Sequence, residues 1–393
     1  MEMTREEFIK MCGIMGLSLP LQASFSTDGK SKPNNNFRTD FSGKVIIIGA
    51  GAGGLATAYF LGQYGIDFEI LEASETYGGR MKTVNDFADF PIPLGAEWLH
   101  TNPKVFKKIV NNSSVPVDVE TVGYDRTKDT VGVWENGRLE VSKLVDSDRK
   151  FVNSGWLDFF EKYIIPSVSD KISYKTIVRS VDYSGDQVIL NTSAGDYQAD
   201  KVVISVPLKV LQDGDIKFQP ELPSDKSEAI TKAVIWDGFK AFMEFSEKFY
   251  HTTTSFVINP ETEGQKLYYD ASYGQDTEKN ILGLFVVGKP AQDYISLSGD
   301  ALREFMLNEL DEIYDSKASS SYLKHIVQNW NEEPFIKAAY LTDHENWRRV
   351  RTLGKSVADK VYFAGGPYTD GEDWVAVHAA AQSAKTAADE IVK

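Results

Sequence analysis

A single stretch, residues 44–72, constrains the fold of this chain more than any other. It begins with β-branched residues at positions 45–48, which predict a buried strand. Glycines follow in the GxGxxG spacing, ahead of a run of helix-forming residues. A second apolar run, residues 68–71, ends at the acidic residue Glu72. The order of strand, glycine turn, helix, strand and acid predicts a βαβ unit that binds a dinucleotide.

Each part of this unit has a physical role in such a site. Gly49 permits a tight turn, Gly51 lets backbone amides approach a pyrophosphate, and Gly54 lets the helix pack closely on the strand. The helix N-terminus presents partial positive charge to the phosphates. Glu72 is placed to accept hydrogen bonds from ribose hydroxyls. The alternative is a glycine-rich turn in an ordinary α/β domain, because GxGxxG alone is a weak signal.

Composition narrows the classes of partner. The chain has 393 residues, enough for two domains, and a net charge of −15. Nucleic acids and anionic membranes bind basic surfaces, so we expect neither as a partner. An acidic field attracts cationic substrates such as amines, although it also serves solubility alone. The single cysteine, Cys12, excludes an internal disulfide and a cysteine-based metal site, and we expect no metal. No apolar run reaches the length of a membrane span.

The N-terminal residues 1–40 do not fit the dinucleotide unit. Their polar start, apolar middle and small residues outline an export signal, but residues 1–10 carry three acids against two bases, the wrong charge for one. A degenerate signal and a short N-terminal helix are both open, and the expected location is therefore cytoplasmic or periplasmic. Residues 27–40 predict a polar linker.

Further motifs follow the dinucleotide stretch in order. They are GGRMKT at 78–83, LGAEWLHTNP at 94–103, a strand-and-turn region at 174–206, IKFQPELP…GFKAFMEF at 216–245, WNEEPFIKAAY at 330–340 and VYFAGG…VAVHAAAQSA at 361–384. Together with residues 44–72, these segments resemble the flavin-dependent amine oxidases over residues 44–393. Two departures stand out. Ala338 and Gly366 replace a glycine and a glutamate that are usual in that family, and the latter normally contacts the ribityl chain of the cofactor.

The resemblance implies a fold with two domains. We expect an α/β architecture in which a Rossmann-like FAD-binding domain, discontinuous in sequence, combines with a substrate domain built on a mixed sheet plus helices. The FAD-binding domain is expected to comprise residues 41–98, 171–215 and 358–393, and the substrate domain residues 99–170 and 216–357. Since the resembling segments contain no cysteine, FAD is expected to be non-covalent. The oligomeric state is left open.

The resemblance also implies a set of site residues. The residues expected to bind FAD are Gly49, Gly51, Gly53, Gly54, Glu72, Ala73, Gly79, Arg80, Gly95, Ala96, Glu97, Trp98, Val178, Trp330, Gly365, Gly366, Val375 and Ala376. The expected catalytic side chains are Lys240, Tyr340 and Trp374. In the family the lysine reaches flavin N5 through a water, and the aromatic residues form walls of the substrate cage. His100 is expected on the substrate side.

Each of these assignments has a plainer alternative. Lys240 lies between aromatic residues on an apolar strand, where a lysine is costly unless it is used, but it could also extend from a strand edge to solvent. His100 is equally a polar residue at a loop corner, and Trp374 a packing residue.

The reaction implied by the resemblance is oxidation of an amine to an imine, with O2 reduced to hydrogen peroxide. Competing hypotheses are a flavin dehydrogenase or desaturase acting on C–C bonds, a nicotinamide-dependent dehydrogenase and a non-catalytic FAD-binding protein.

Overall fold

A computed structural model describes residues 40–259, 263–342, 347–369 and 375–393. The signal-like segment with Cys12, most of the predicted linker and Trp374 lie outside the described residues. In the described part, no helix combines the length and the apolar character that crossing a bilayer requires.

A parallel sheet holds the glycine-rich turn. Its strands, in spatial order, are Ile172–Ser173, Asp67–Leu71, Lys44–Ile48, Lys201–Ile204 and Val361–Phe363. All neighbouring pairs run parallel, so these strands come together from three separated stretches of chain. The strand predicted from the β-branched run is confirmed, and so is the Rossmann-like, discontinuous arrangement.

Both faces of the parallel sheet are covered, as its apolar sequence requires. Along the first strand, Val45 and Ile47 enter one core, whereas Ile46 and Ile48 enter the other. The first core also contains the helices Ala52–Gln63, Lys104–Val110, Trp156–Tyr163 and Val377–Ile391. Alanines and glycines on Ala52–Gln63 and Val377–Ile391 let these helices approach the sheet and each other closely.

A four-stranded sheet lies on the second face. It consists of Gly195–Ala199, Val188–Thr192, Val178–Asp182 and Lys217–Gln219. The first three strands form the antiparallel hairpins that the turn signals in residues 174–206 predict. The helices Leu208–Gln212, Ser224–Lys232 and Trp347–Gly354 follow on this side of the molecule.

A mixed seven-stranded sheet forms the second half of the molecule. Its order is Tyr322–Asn329, Gly238–Phe245, Asn280–Gly288, Gly264–Asp270, Thr253–Phe256, Thr130–Glu135 and Arg138–Lys143. All pairs are antiparallel except Thr253–Phe256 with Thr130–Glu135. The helix Gly299–Ile313 packs on one face. The expected mixed sheet with helices is therefore confirmed.

The strand Gly238–Phe245 is buried along its whole length. Strand alternation sends Phe239, Ala241 and Met243 towards Gly299–Ile313, into one core. Lys240 and Phe242 consequently point to the opposite face, where Phe242 packs with Tyr269.

Short elements connect the two halves. A three-stranded sheet contains Trp98–Leu99, Arg149–Phe151 and Thr121–Gly123, and two strand pairs join Thr83–Val84 to Ile92–Pro93 and Ile235–Trp236 to Tyr340–Leu341. The remaining helices of the described residues are Gln292–Ile295 and Lys317–Ser321. The 3-10 turns in the same residues are Gly79–Met81, Ile165–Ser167, Ser169–Lys171 and Lys289–Ala291.

Candidate active site

A cavity of about 830 Å³ lies where the parallel sheet meets the seven-stranded sheet. On one side it is lined by residues that follow the carboxyl ends of parallel strands, including Gly49, Glu72, Ser205 and Gly365. In open parallel sheets this edge is where ligands bind. On the other side it is lined by side chains of the seven-stranded sheet, Lys240 among them.

The glycine turn has the geometry that a phosphate cradle needs. Gly49 has a φ of +101°, which favours glycine. A Cβ on Gly54 would lie 1.9 Å from the Gly49 carbonyl oxygen, so helix and turn pack as closely as predicted. A Cβ on Gly51 would meet nothing within 4 Å, because Gly51 faces the cavity at the start of the helix Ala52–Gln63. The uncapped helix N-terminus thus opens onto space that a dinucleotide can fill.

Glu72 joins the loops at the ends of two strands. Its Oε2 accepts a hydrogen bond from the Ala50 amide at 2.6 Å, and its Oε1 accepts one from the Ser74 amide at 2.8 Å. Glu72 and Ala73 both line the cavity. A carboxylate has about four acceptor positions, so two remain for ribose hydroxyls.

The GGR motif forms the next part of the wall. Arg80 lies in the 3-10 turn Gly79–Met81, and its guanidinium donates a hydrogen bond to the Ala339 carbonyl oxygen. Ala96 donates its amide proton to the Arg80 carbonyl oxygen at 2.9 Å. Only glycine fits beside them, because a Cβ on Gly95 would lie 1.8 Å from that oxygen. The hydrogen bond and the close approach hold the GGR turn against the GAEW segment.

A buried ionic network lies at the cavity wall. Lys240 donates from Nζ to Glu97 Oε2 at 2.7 Å and to the carbonyl oxygens of Pro93 at 2.9 Å and Gly95 at 3.1 Å. Lys150 Nζ lies 3.2 Å from Glu97 Oε1. Their exposed fractions are 3% for Lys240, 7% for Glu97 and 2% for Lys150.

Hydrogen bonding holds this network in its charged form. Burial raises the pKa of the Glu97 carboxyl, but Lys240 and Lys150 outweigh it and keep that pKa below its ordinary value. Burial lowers the pKa of Lys240, which Glu97 only partly offsets. Three acceptor oxygens nevertheless surround its Nζ, and a neutral amine has only two N–H bonds to give them. Tyr269 donates its hydroxyl proton to Glu97 Oε2.

A cluster of side chains that includes two aspartates forms another part of the cavity wall. His100 Nδ1 lies 2.7 Å from Asp148 Oδ2, and the nearby Asp146 accepts the Asp148 amide at 2.8 Å. Burial, reinforced by Asp148, raises the pKa of Asp146 to about 6. Tyr124 accepts a hydrogen bond from Trp98 Nε1 at 3.1 Å, and burial raises its pKa well above 10. All of these residues line the cavity.

The structure brings nearly all of the predicted site residues to one cavity. Of those that it describes, only Gly54 does not line the wall, since it packs the helix on the turn. Trp330 donates from Nε1 to the Leu94 carbonyl oxygen at 3.2 Å, and burial raises the pKa of Tyr340. Val178, Gly366, Val375 and Ala376 also line the cavity.

The sequence interpretation did not identify Lys150, Asp146, Asp148, Tyr124 or Tyr269. One signal was available, because Asp146, Asp148 and Lys150 alternate at the spacing of one strand face. The register of Arg149–Phe151 with Trp98–Leu99, which pairs Lys150 with Trp98, then brings them to the GAEW segment.

The fold and cavity define an α/β protein with a dinucleotide-binding site, and comparison with known proteins makes the class specific. The family model described as flavin containing amine oxidoreductase matches residues 162–392, more than half of the chain. An NAD(P)-binding Rossmann-like domain model matches residues 47–112. The chain belongs to the flavin containing amine oxidoreductase family.

The chain is also similar to individual proteins of known sequence or structure. The chain is 23% identical over 429 residues to polyamine oxidase 3 of Oryza sativa subsp. japonica, covering 86% of this chain and 87% of that protein. It is 21% identical to lysine-specific histone demethylase 1B of Mus musculus over 82% of this chain. It spans about half the length of such demethylases, 49% of that one. A putrescine oxidase bound to putrescine shares the fold, with a TM-score of 0.71 and 14% identity, covering 90% of this chain and 99% of that one.

The cavity fits FAD, the flavin cofactor expected of a member of this family. The open space beside Gly51 and the uncapped helix N-terminus suit the pyrophosphate, and Glu72 has acceptor positions to spare for a ribose. The described residues contain no cluster of histidine, cysteine, aspartate or glutamate side chains suited to a metal ion.

Proposed function

We propose that this chain oxidises the C–N bond of a primary or secondary amine to an imine while O2 is reduced to hydrogen peroxide. The amine loses two protons and two electrons, and O2 takes up two protons and two electrons to form the peroxide, so the reaction balances. When bound, FAD supplies the acceptor for these electrons. The chain's own residues bind and orient the amine, exclude water and set the charge around the reacting bond.

The acidic wall supports an amine with a second, cationic group as the substrate. Asp146 and Asp148 line the cavity beside Tyr124 and His100, and Asp148 is buried. Carboxylates in a partly desolvated cavity attract an ammonium group more strongly than they would in water. The amine that is oxidised must itself be neutral, so a linear diamine with one charged end satisfies both demands. This is the observation that carries the proposal.

An α-amino acid is a poorer fit to the same wall. Binding its carboxylate calls for an arginine in the cavity. Among the described lining residues, the one arginine is Arg80, which donates to the Ala339 carbonyl oxygen in the GGR turn. We therefore place diamines ahead of amino acids as substrates.

Lys240 is proposed as the principal catalytic side chain, and its contacts support one mode of action. The family resemblance led us to expect that it reaches flavin N5 through a water. Here its three N–H groups are directed to Glu97 and the carbonyls of Pro93 and Gly95. We therefore propose that Lys240 acts through its positive charge. Tyr340, proposed as a wall of the substrate cage, and Trp330, proposed as a cofactor contact, line the same cavity.

Peroxide formation with a matched panel tests the proposal. The panel comprises a linear diamine, a monoamine of equal chain length and an α-amino acid, each supplied to the FAD-loaded protein in air. We expect the diamine to give the highest kcat/KM. Asp146→Asn should raise KM for the diamine while changing that for the monoamine little. Asp186→Asn, in an exposed turn, is the control. FAD-loaded protein that forms no peroxide with any amine would overturn the proposal in favour of a dehydrogenase, a desaturase or a non-catalytic protein.

A further inference from the structure

Two buried lysines share a single buried carboxylate at the cavity wall. Lys240 and Lys150 bind the two oxygens of Glu97 at 2.7 Å and 3.2 Å. Lys150 also donates to the carbonyl oxygens of Asp270 at 2.9 Å and Ala271 at 2.9 Å, so three acceptors surround its Nζ as well. Both are ammonium groups by that geometry. The network therefore carries one net positive charge.

No group inside the network balances this charge. Tyr269, which donates its proton to Glu97, is neutral, because burial raises its pKa well above 10. The Asp270 carboxylate is bound by Lys248 at 2.6 Å. One lysine would be enough to pair Glu97, and burying a second cation costs free energy unless an anion completes the site.

The missing negative charge belongs to the cavity. Lys240, Glu97 and Tyr269 line the cavity. Lys150 is not among the described lining residues and contacts Glu97 from behind the wall. Without Lys150, the carboxylate of Glu97 would cancel the charge of Lys240. With Lys150 in place, the part of the wall formed by Lys240 and Glu97 presents an excess positive charge, at a position of low dielectric where it acts strongly. The aspartates of the acidic wall, Asp146 and Asp148, are a separate part of the lining.

We propose that Lys150 is a positioning residue that sets the reduction potential of the bound cofactor. It acts through Glu97: by neutralising that carboxylate it leaves the charge of Lys240 uncompensated. This charge stabilises the negative charge that FAD acquires on reduction. The proposal rests on the proposed function in that FAD occupies this cavity, but it does not depend on which amine is oxidised.

The test is the reduction potential of bound FAD, measured by equilibration with a reference dye during chemical reduction. Lys150→Met lowers the net charge of the network to zero, and we expect a more negative potential. The double variant Lys150→Met with Glu97→Gln restores one net positive charge, and we expect its potential to return to the wild-type value. A purely structural role would not produce this return, since the double variant removes more contacts than the single one.

Lys266→Met is the matched control. Lys266 is a largely buried lysine of the seven-stranded sheet, which also contains Lys240. It pairs with Glu309, and Tyr268 and Tyr294 also donate to that carboxylate. Its partner Glu309, unlike Glu97, is not among the described residues that line the cavity, so we expect no change in potential.

An unchanged potential in Lys150→Met, or a double variant as negative as the single one, would overturn the proposal. If Lys150→Met fails to fold with FAD, the double variant is compared with Lys266→Met instead. A more negative potential in the double variant would then contradict the charge count. Because the reductant is chemical, these outcomes are separate from a failure of amine oxidation.

Discussion

Lys240 Nζ and Glu97 Oε2 lie 2.7 Å apart in a part of the cavity wall that solvent barely reaches. Removing the lysine leaves Glu97 paired with Lys150 and Tyr269, so the fold should survive. We therefore predict that Lys240→Met retains FAD but slows turnover by on the order of 10²-fold, a typical effect of deleting one preorganised electrostatic contact. Steady-state and flavin reoxidation rates measure this loss.

Lys266→Met serves as the control for this prediction too, because it removes an equally paired lysine from the same sheet. Its turnover should match the wild type. Equal steady-state and reoxidation rates in Lys240→Met and wild type would remove Lys240 from the catalytic set.

The glycines of the turn predict two different defects. Gly54→Ala places a Cβ 1.9 Å from the Gly49 carbonyl oxygen, and we expect a loss of about 1–3 kcal/mol in the free energy of unfolding of the FAD-free protein. Gly51→Ala meets no protein atom within 4 Å, so that stability should be unchanged. It narrows the proposed pyrophosphate space instead, and Kd for FAD should rise about tenfold, or about 1.4 kcal/mol.

Urea denaturation without FAD and a fluorescence titration with FAD separate these two effects. The prediction fails if Gly51→Ala destabilises the FAD-free protein as much as Gly54→Ala does, or if it binds FAD as tightly as the wild type.

We expect Asp146 to determine how KM for the diamine depends on pH on the acid side. Burial and Asp148 raise its pKa to about 6, so it is largely neutral below that pH and negative above it. A diamine remains cationic throughout this range. We therefore expect KM for the diamine to fall as pH rises through about 6. Asp146→Asn should flatten this limb, and Asp186→Asn should preserve it. A limb that persists in Asp146→Asn would assign it to another group.

Lys226 predicts a pH dependence of stability away from the cavity. Its Nζ donates to the carbonyl oxygens of Thr352 at 3.0 Å and Leu353 at 2.8 Å, and burial lowers its pKa to about 7. The unfolded chain holds this proton up to about pH 10.5, so between these values the unfolded state binds more protons. The contribution of Lys226 to the free energy of unfolding should therefore rise with pH from about 7 to 10.5 and stay constant below.

Urea denaturation at several pH values, compared between wild type and Lys226→Met, isolates this contribution. Lys232→Met, on the same helix but exposed and paired with Glu228, is the control. Parallel stability curves for wild type and Lys226→Met would show that Lys226 does not titrate in this way.

Local patterns account for the features that the sequence predicts well. The strand at Lys44–Ile48, the glycine turn and the acid Glu72 are near one another in the chain and obey rules of spacing. The residues of the network around Glu97 are distant from one another in the chain and follow no such rule. The network joins Lys150 and Lys240 through the register of two different sheets, which spacing along the chain does not encode. Lys240 was identified from its family context, whereas Lys150 had no such context.

Gly366, which replaces a glutamate usual in the family, lies where two backbone segments come close together. A Cβ at this position would lie 3.2 Å from Val375 Cα, and Val375 itself has a φ of +60°, rare for a β-branched residue. The missing glutamate thus coincides with a close approach of these two backbone segments at the cavity wall.

The most direct test of the central claim is an anaerobic titration of the FAD-loaded protein with a linear diamine, followed by visible spectroscopy. The proposal predicts that the flavin absorbance bleaches with the diamine and returns when air is admitted, with hydrogen peroxide formed. A flavin spectrum that no amine bleaches, although a chemical reductant does, would contradict amine oxidation by this chain.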